Sequence, residues 1–275
     1  MCIRDRAQSD PFESTYEPLP PENILIQDAN IYDGDGNEFS ETDVLIQNGK
    51  IVAIGRDLPA TNEFKVIDAA GKWVTPGIID IHSHMGVYPA PGVSTSADGN
   101  EATSPVTADV WAEHSIWVQD PQYALALKGG VTAFHILPGS ANLIGGRGVT
   151  VKNLQRNTIN SMKFPDAPHS LKMACGENPK RVYGNRQQAP STRMGNAAGY
   201  RKSWIEAEAY LSRLIEYEEK SDEAKELAYK PQRNLEMDTL AGVLRGEILV
   251  HNHCYRAEEM AVSYTHLTLP TNREV

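Results

Sequence analysis

Hydrophobic residues fall into two patterns along the chain, and each pattern predicts one region. From residue 23 to about residue 74, short apolar stretches are separated by residues that favour turns. The stretches are Ile24-Leu25-Ile26, Val44-Leu45-Ile46 and Ile51-Val52-Ala53-Ile54. Asp33-Gly34-Asp35-Gly36 and Asn48-Gly49 lie between them and are typical of tight turns between strands. The first region is therefore predicted to be a small β-rich domain.

From Pro76 onward, strand-like and helix-like stretches alternate. The predicted strands are residues 78–81, 131–136, 171–175 and 248–251. A long helix is predicted between the last two, because apolar residues recur at steps of three and four at Trp204, Ala207, Leu211 and Leu214. Ser203 followed by Glu206 has the form of a capping box at the start of a helix. The alternation predicts βα units around a parallel sheet, with the first strand buried on both faces.

Two stretches rich in glycine are predicted to be loops at the strand ends. Residues 86–108 contain several prolines and glycines, and loops at that end of a barrel usually build the active site. Residues 140–142 and 145–148 are predicted to form a second loop. Its glycines are not interpreted as a phosphate-binding motif, because no Lys-Ser/Thr pair completes one.

Composition narrows the class of partner but not the function. Hydrophobic residues make up 40% of 275, the net charge is −10, and no stretch approaches the length of a membrane span. Neither nucleic acid nor a membrane is therefore expected as a partner. Cys175 and Cys254 each follow a strand-like run, and buried free thiols are predicted in preference to a disulfide.

The candidate chemistry begins with two histidines at the end of a predicted strand. His82 and His84 follow the apolar run of residues 78–81, and Pro76-Gly77 marks the turn before it. Side chains two residues apart on a strand point to the same side, so both imidazoles can bind one metal ion. A pair of surface or loop histidines is the other interpretation of an isolated His-x-His sequence. The preceding strand favours the metal site.

Residues 76–84 (PGIIDIHSH) resemble the first barrel strand of the metal-dependent amidohydrolase superfamily, and within it the imidazolonepropionase-like group. The resemblance spans roughly residues 22–261 and continues in the segments 129–132 (GGVT), 138–142 (PGSAN), 176–180 (GENPK) and 250–253 (VHNH). It implies an α/β fold, an incomplete (β/α)8 TIM-like barrel with a small N-terminal β-sandwich domain. Residues 76–261 would form the N-terminal part of the barrel, and residues 22–75 part of the sandwich.

The resemblance also implies a set of metal ligands, namely His82, His84, Glu177 and His251. His251 is preferred as the third histidine because related proteins usually use the one directly after the apolar run, here residues 248–250. His253, two residues further on, is assigned to substrate binding or to supporting a ligand, with a histidine of the core as the alternative. Asp80 is interpreted as an orienting carboxylate or a buried hydrogen-bond acceptor.

Glu177 competes with lysines for its place in that set. Many amidohydrolases use a lysine carboxylated by carbon dioxide to bridge two metals, and Lys172 and Lys152 are candidates for it. The strand of residues 171–175 is followed by Gly176 and Glu177, however, which resembles the deacetylase branch, where a carboxylate binds the metal directly. Gly176 allows the turn that this placement needs. Glu177 is therefore predicted to lie nearer the histidines than either lysine.

Other polar residues receive weaker assignments. Arg181 and Arg193 belong to a basic cluster after Glu177 and are assigned to binding a substrate carboxylate, with a solvated loop as the alternative. His135 is assigned to core packing. The catalytic residue is unknown, because the aspartate that serves as base and acid in the superfamily comes from a later strand.

The function implied by the resemblance is hydrolysis of a carbon-nitrogen bond with one or two Zn²⁺ ions or other divalent metals. The substrate would be a small molecule: a cyclic amide, an acylated amino acid or a small peptide. A homo-oligomer is compatible with this class. Hydrolytic deamination of an aromatic ring and a metal-binding relic without turnover are the alternatives.

The two ends of the chain are interpreted as foreign to the protein. One DNA string, translated from opposite strands, encodes both residues 1–6 and residues 262–266, and it resembles a transposon adapter used in sequencing libraries. Residues 1–6 and 262–275 are therefore excluded, with Cys2 and His266, and the remainder is interpreted as a fragment that is expected to be inactive by itself. Residues 7–21 are interpreted as a linker after a signal peptide, which predicts a periplasmic protein, with a cytoplasmic one as the alternative. A barrel takes about 250 residues, so its last strand here is predicted to have an unpaired edge.

Overall fold

A computed structural model describes residues 10–59 and 61–268 of the chain, with side chains described as far as residue 265. The described residues form two compact units. The smaller unit comprises residues 16–78, and the larger comprises residues 10–15 together with residues 79–268. Residues 1–6 and Cys2 lie outside the described part, as does the side chain of His266.

The smaller unit is a five-stranded sheet. Its strands are β1 (Ile24–Tyr32), β2 (Glu38–Gln47), β3 (Lys50–Gly55), β4 (Lys65–Asp68) and β5 (Trp73–Val74). The order is β3-β2-β1-β4. The short strand β5 pairs with the later residues of β1, after those that pair with β4. Asn48 and Gly49 both have positive φ angles, of 51° and 73°, as a tight turn between β2 and β3 requires. The predicted β-rich domain is present, but the second sheet that a sandwich needs is not found among the described residues.

The larger unit contains the other five-stranded sheet and all the helices of the described chain. Its elements are β6 (Ile78–Ser83), α1 (Gln122–Lys128), β7 (Val131–Ile136), β8 (Ile144–Lys152), β9 (Ser170–Ala174), α2 (Glu177–Gly184), α3 (Arg193–Glu218), α4 (Asp222–Leu227), α5 (Leu235–Leu244), β10 (Leu249–His253) and α6 (Ala257–Thr268). The sheet order is β10-β9-β8-β7-β6. Each strand therefore neighbours the next in the chain, as in part of a barrel, and the described part of β10 lies at the sheet edge, as expected.

Residues 145–148 were expected to form a loop, and this expectation is wrong because they lie in strand β8. β8 pairs antiparallel with both β7 and β9, while β9 and β10 are parallel, so the sheet is mixed and not fully parallel. Its glycines allow close packing. A Cβ at Gly146 would lie 2.4 Å from the Val110 carbonyl oxygen, and one at Gly148 would lie 2.5 Å from Ser170 Oγ. Glycine in a strand marks close approach of this kind as well as turns.

Burial of β6 differs from the prediction too. Ile78, Ile79 and Ile81 are 53%, 60% and 69% exposed, whereas an interior strand would hide them on both faces. β6 forms the other edge of the described sheet, and this position explains the exposure.

The long helix α3 begins earlier than the sequence predicted. Thr192 caps it by accepting a hydrogen bond from the backbone N–H of Gly195. Ser203 lies inside the helix, where its hydroxyl donates to the Gly199 carbonyl oxygen 3.1 Å away, so it is not a cap. The apolar periodicity is confirmed at Trp204 and Ala207, which are buried in the core that α3 shares with α5 and the sheet.

A disulfide joins Cys175 and Cys254, which corrects the prediction of free thiols. The two residues directly follow β9 and β10, and the strands are parallel with Ala174 opposite His253. Equal register brings the next residues side by side, with Cα atoms 5.1 Å apart, a distance that a disulfide can span. The cross-link therefore ties together the ends of two neighbouring strands.

Residues 10–15, expected in a linker, pack against the larger unit. The Asp10 carboxylate pairs with the Lys163 ammonium, and the Phe12 ring packs edge-on against Trp111 and His114, with centroids 5.5 and 4.9 Å away. The backbone N–H of Thr15 donates to a carbonyl oxygen 3.0 Å away. At the other end, residues 262–268 continue α6, so the described part of the excluded segment is helical.

Candidate metal centre

His82 and His84 lie at the carboxyl end of β6, with ring centroids 5.4 Å apart. Asp80 is two residues earlier, and its carboxylate accepts a hydrogen bond from the backbone N–H of His82 at 3.1 Å. Asp80 is half-buried, so it is an acceptor in a local contact but not the buried acceptor that was one of the two expected roles. The contact holds the strand end in shape next to the first histidine.

The ring of His84 is held in one orientation. Its Nδ1 lies 2.8 Å from the carbonyl oxygen of Leu137, the residue after β7. A carbonyl oxygen only accepts, so Nδ1 carries the hydrogen and Nε2 keeps a lone pair in the neutral ring. Burial lowers the pKa of His84, which favours the neutral form. An imidazole held in this way is typical of a metal ligand.

Lys172 is the most unusual residue at this end of the sheet. It lies within β9, has 0% exposure, and places Nζ 2.8 Å from His82 Nε2. Burial lowers the pKa of Lys172 to about 8. Among the described residues no carboxylate lies within ion-pair distance of the amine. The ammonium is therefore buried without a compensating negative charge, which costs free energy and makes Lys172 a candidate for a functional group.

His82 is neutral at pH 7 in this environment. Its pKa is lowered to about 4, first by burial of part of the ring and then by the positive charge of Lys172. The neutral ring can accept a hydrogen bond from the lysine amine at Nε2, the nitrogen that Lys172 contacts.

The strand β10 brings two further histidines to the same region. His251 is opposite Lys172 in the pairing of β9 with β10, and His253 is opposite Ala174. The charges of His251 and His253 both contribute to lowering the pKa of His82, and the charge of His84 does the same for His253. Four imidazoles and one amine thus share one end of the sheet.

The structure corrects the prediction that Glu177 lies nearer the histidines than the lysines. Lys172 is in contact with His82, whereas Glu177 is exposed at the first position of α2. The reason is the chain path: Lys172 is on the strand itself, and Gly176, with φ of 69°, turns the chain away before Glu177. Lys152 is elsewhere, with its amine 4.3 Å from the centroid of the Phe164 ring.

The two arginines assigned to substrate have no described contact with the four histidines. Arg181 is exposed on α2, and Arg193 Nε donates to Glu259 Oε1 at 2.5 Å. His253 has two polar neighbours at the strand end. Asn178 Nδ2 lies 3.5 Å from its Nε2, and the Tyr255 ring packs edge-on against its ring.

Sequence reasoning missed a hydrogen-bonded set next to the histidines. His135, assigned to core packing, is stacked on His251 and bonded to hydroxyls of Thr150 and Ser170. The sequence held a signal for this set, because Ser170 and Lys172 are two residues apart on one strand and so face the same side. This signal did not lead to His135, because β8, which carries Thr150 and lies between the strands of His135 and Ser170, was not predicted as a strand.

Imidazole nitrogens are the donors that zinc prefers, and the fixed His84 ring fits such an ion. Among the described residues, however, no three His, Cys, Asp or Glu side chains are grouped closely enough to hold a metal. Lys172 Nζ lies 2.8 Å from His82 Nε2, and an ammonium is not a metal ligand. The histidines are therefore suitable metal ligands by residue type, provided that the positive charge of Lys172 is removed.

Comparison with known proteins points to one class. The chain is 33% identical over 270 residues to "Amidohydrolase tasK" of Hapsidospora irregularis, covering 92% of this chain and 27% of that protein. Shorter segments are similar to a dihydroorotase of Pelobacter propionicus (38% over 63 residues, 23% of this chain and 15% of the relative) and to an adenine deaminase of Lactobacillus delbrueckii (31% over 88 residues, 32% and 16%). No protein-family model matches the chain.

A solved structure shows the same relationship. The chain is similar to an amidohydrolase from Thermotoga maritima MSB8, with a TM-score of 0.79 and 35% identity over 90% of this chain and 62% of the other. The chain thus spans about a quarter of tasK and about three fifths of the Thermotoga protein. These relatives support the amidohydrolase superfamily, and the larger unit is consistent with part of its barrel. No helix of the described residues is long and apolar enough to cross a membrane.

Proposed function

We propose that this chain is part of a metal-dependent hydrolase that cleaves carbon-nitrogen bonds in small molecules, with cyclic amides as the first substrate class. The observation that carries the proposal is the buried amine of Lys172, 2.8 Å from His82 Nε2 and without a carboxylate partner among the described residues. The amidohydrolase and dihydroorotase relatives support the same reaction class. Membership of the imidazolonepropionase-like group is part of the proposal.

The proposed metal is zinc, as one or two ions, held by His82, His84 and His251. Lys172, carboxylated on Nζ, takes the role that the sequence assigned to Glu177. In that modification the neutral amine adds to carbon dioxide and releases one proton, giving a carbamate whose oxygens are donors. A pKa of about 8 makes the neutral amine accessible near neutral pH. When bound, zinc polarises a carbonyl group and lowers the pKa of water.

The chain's own residues then have separate tasks. The bond from His84 Nδ1 to the Leu137 carbonyl oxygen keeps Nε2 aimed in one direction. His253, at the end of β10 beside Asn178, is the better supported substrate contact. Arg193 is already paired with Glu259, and Arg181 is exposed, so both remain assignments from the sequence.

Hydrolytic deamination is a second candidate, favoured by the similarity to an adenine deaminase. It needs the same metal but releases ammonia, whereas ring opening of a cyclic amide keeps the nitrogen in the product. Analysis of ammonia separates the two reactions.

An exported, periplasmic protein is also proposed. The Cys175–Cys254 disulfide supports this location, because disulfides persist in oxidising compartments.

The test is metal content measured together with turnover. The chain is purified after growth with zinc and bicarbonate, its zinc is measured by mass spectrometry, and it is assayed on cyclic amides. Zinc binding should be lost when His82 and His84 are both changed to Ala. It should persist in His114→Ala, because His114 packs against Phe12 and Trp111 and has no described contact with His82 or His84. Equal zinc content in the double variant and the unchanged chain would refute the proposed site.

A further inference from the structure

His135 stands in a polar set that crosses three neighbouring strands. It lies on β7 with 8% exposure, and its Nδ1 is 2.9 Å from Thr150 Oγ1 on β8. Its Nε2 is 2.6 Å from Ser170 Oγ on β9. Layers inside a barrel are usually filled by branched apolar side chains, so a hydrogen-bonded set at this place calls for a reason.

The two hydroxyls hold the His135 ring at both ends. A hydroxyl can donate or accept, so both ring nitrogens are satisfied whichever of them carries the hydrogen. Rotation of the ring about the Cβ–Cγ bond would break both hydrogen bonds at once. The plane of His135 is thus fixed by Thr150 and Ser170 and depends on no other histidine.

One face of this fixed ring packs on His251. The two centroids are 4.6 Å apart, and the planes differ by 25°. The ring torsion of a histidine is broad, so an imidazole keeps one plane only if a neighbour holds it. His84 is held by a hydrogen bond to the Leu137 carbonyl oxygen, but for His251 no ring hydrogen bond is found among the described residues. Stacking on His135 is the restraint that the structure offers instead.

We propose that His135 is a positioning residue whose ring, anchored by Thr150 and Ser170, sets the plane of the His251 ring. The value of this orientation for metal binding rests on the proposed function, in which His251 is a ligand. The orientation itself does not, and it can be measured in the metal-free protein.

The first measurement is the nuclear magnetic resonance of the His251 ring protons in the metal-free chain, assigned with His251→Gln. His135→Ala should remove the ring-current shift of these protons, whereas His135→Phe, which keeps an aromatic face, should retain most of it. Phe134→Leu is the matched control, because Phe134 is the neighbouring buried residue on the same strand and packs in a different cluster. Unchanged His251 signals in His135→Ala would overturn the proposal.

The anchors are tested in the same way. Thr150→Val combined with Ser170→Ala keeps the His135 side chain but removes both of its hydrogen bonds, so its ring is free to rotate and the His251 signals should broaden or split. If they stay as sharp and as shifted as in the unchanged chain, the anchoring by hydroxyls is wrong.

The second measurement is zinc affinity by competition with a chelator. Affinity should fall about 10- to 100-fold in His135→Ala, the usual effect of losing a residue that orients a ligand, and far less in Phe134→Leu. Equal affinity in His135→Ala and the unchanged chain would show that His135 does not contribute to zinc binding. An unchanged chain that binds no zinc would refute the proposed function, while the resonance of His251 would still decide the orientation.

Discussion

Two lysines are buried in the larger unit, and they differ in their partners. Lys163 is 4% exposed, and its amine lies 2.8 Å from Glu113 Oε2 and also pairs with the Asp10 carboxylate. Lys172 is 0% exposed and contacts a neutral histidine nitrogen. Among the described residues, carboxylates surround the first amine and none pairs with the second.

The comparison separates a structural lysine from a functional one. An ammonium among carboxylates is neutralised as a group and ties together the segments that carry the partners, here residues 10–15 and the loop around Glu113. An ammonium without such partners is destabilised by burial, and its pKa falls, to about 8 for Lys172. A lysine of this kind is ready to lose its proton and react.

The largest expected effect is that of Lys172→Met. Zinc binding and any hydrolysis of carbon-nitrogen bonds should fall below detection, because the proposed carbamate is lost. The free energy of unfolding should stay equal or rise, since a buried charge without a partner is removed. Metal analysis, turnover and urea unfolding check the three parts. Lys152→Met on the neighbouring strand is the control, and a Lys172→Met protein with normal zinc content would remove the distinction between the lysines.

Lys163→Met should act on stability alone. It leaves the Glu113 and Asp10 carboxylates without their partner, so the free energy of unfolding should fall by about 3–5 kcal/mol with zinc content unchanged. Urea unfolding measures the loss. Adding Glu113→Gln should restore part of it, because the two changes concern one ion pair. A loss of less than about 1 kcal/mol would show that the pairing of Lys163 is not structural.

The disulfide offers a smaller test of the strand ends that carry Lys172 and His253. Changing Cys175 and Cys254 together to Ser should lower the free energy of unfolding by about 2–4 kcal/mol. Treating the unchanged chain with a dithiol should reproduce the loss, and titration with a thiol reagent should find the two thiols only after reduction. Free thiols in the untreated chain would contradict the cross-link.

The last expected effect is a pH dependence. The pKa of Lys172 is about 8 in the folded chain and 10.5 ordinarily. Between these values the unfolded chain binds a proton that the metal-free folded chain does not, so stability should rise with pH from about 8 to about 10.5 relative to Lys172→Met. Below pH 8 the two proteins should respond to pH in the same way. Urea unfolding at several pH values measures this, and parallel curves throughout would show that Lys172 is compensated like Lys163.

Local patterns predicted much of the fold. Strands β7, β9 and β10 lie within a residue or two of their predicted places, because short apolar runs next to turn residues report burial directly. β8 was missed, because its four residues 145–148 include three glycines, and glycine signals a turn and a close approach equally well. Only the packing of Val110 and Ser170 against them distinguishes the two.

The candidate site shows the same division. The spacing of His82 and His84 on one strand is a local property, and the sequence alone determined that both lie at its end. Whether Lys172 or Glu177 accompanies them was decided by the turn at Gly176 and by the pairing of β9 with β10. This pairing is a long-range one, since the cysteines that follow the two strands are 79 positions apart in the chain. The stacking of His135 on His251 and the carboxylates around Lys163 are likewise long-range contacts. Local periodicity reports which face of an element is buried, but only tertiary packing determines what each buried charge meets there.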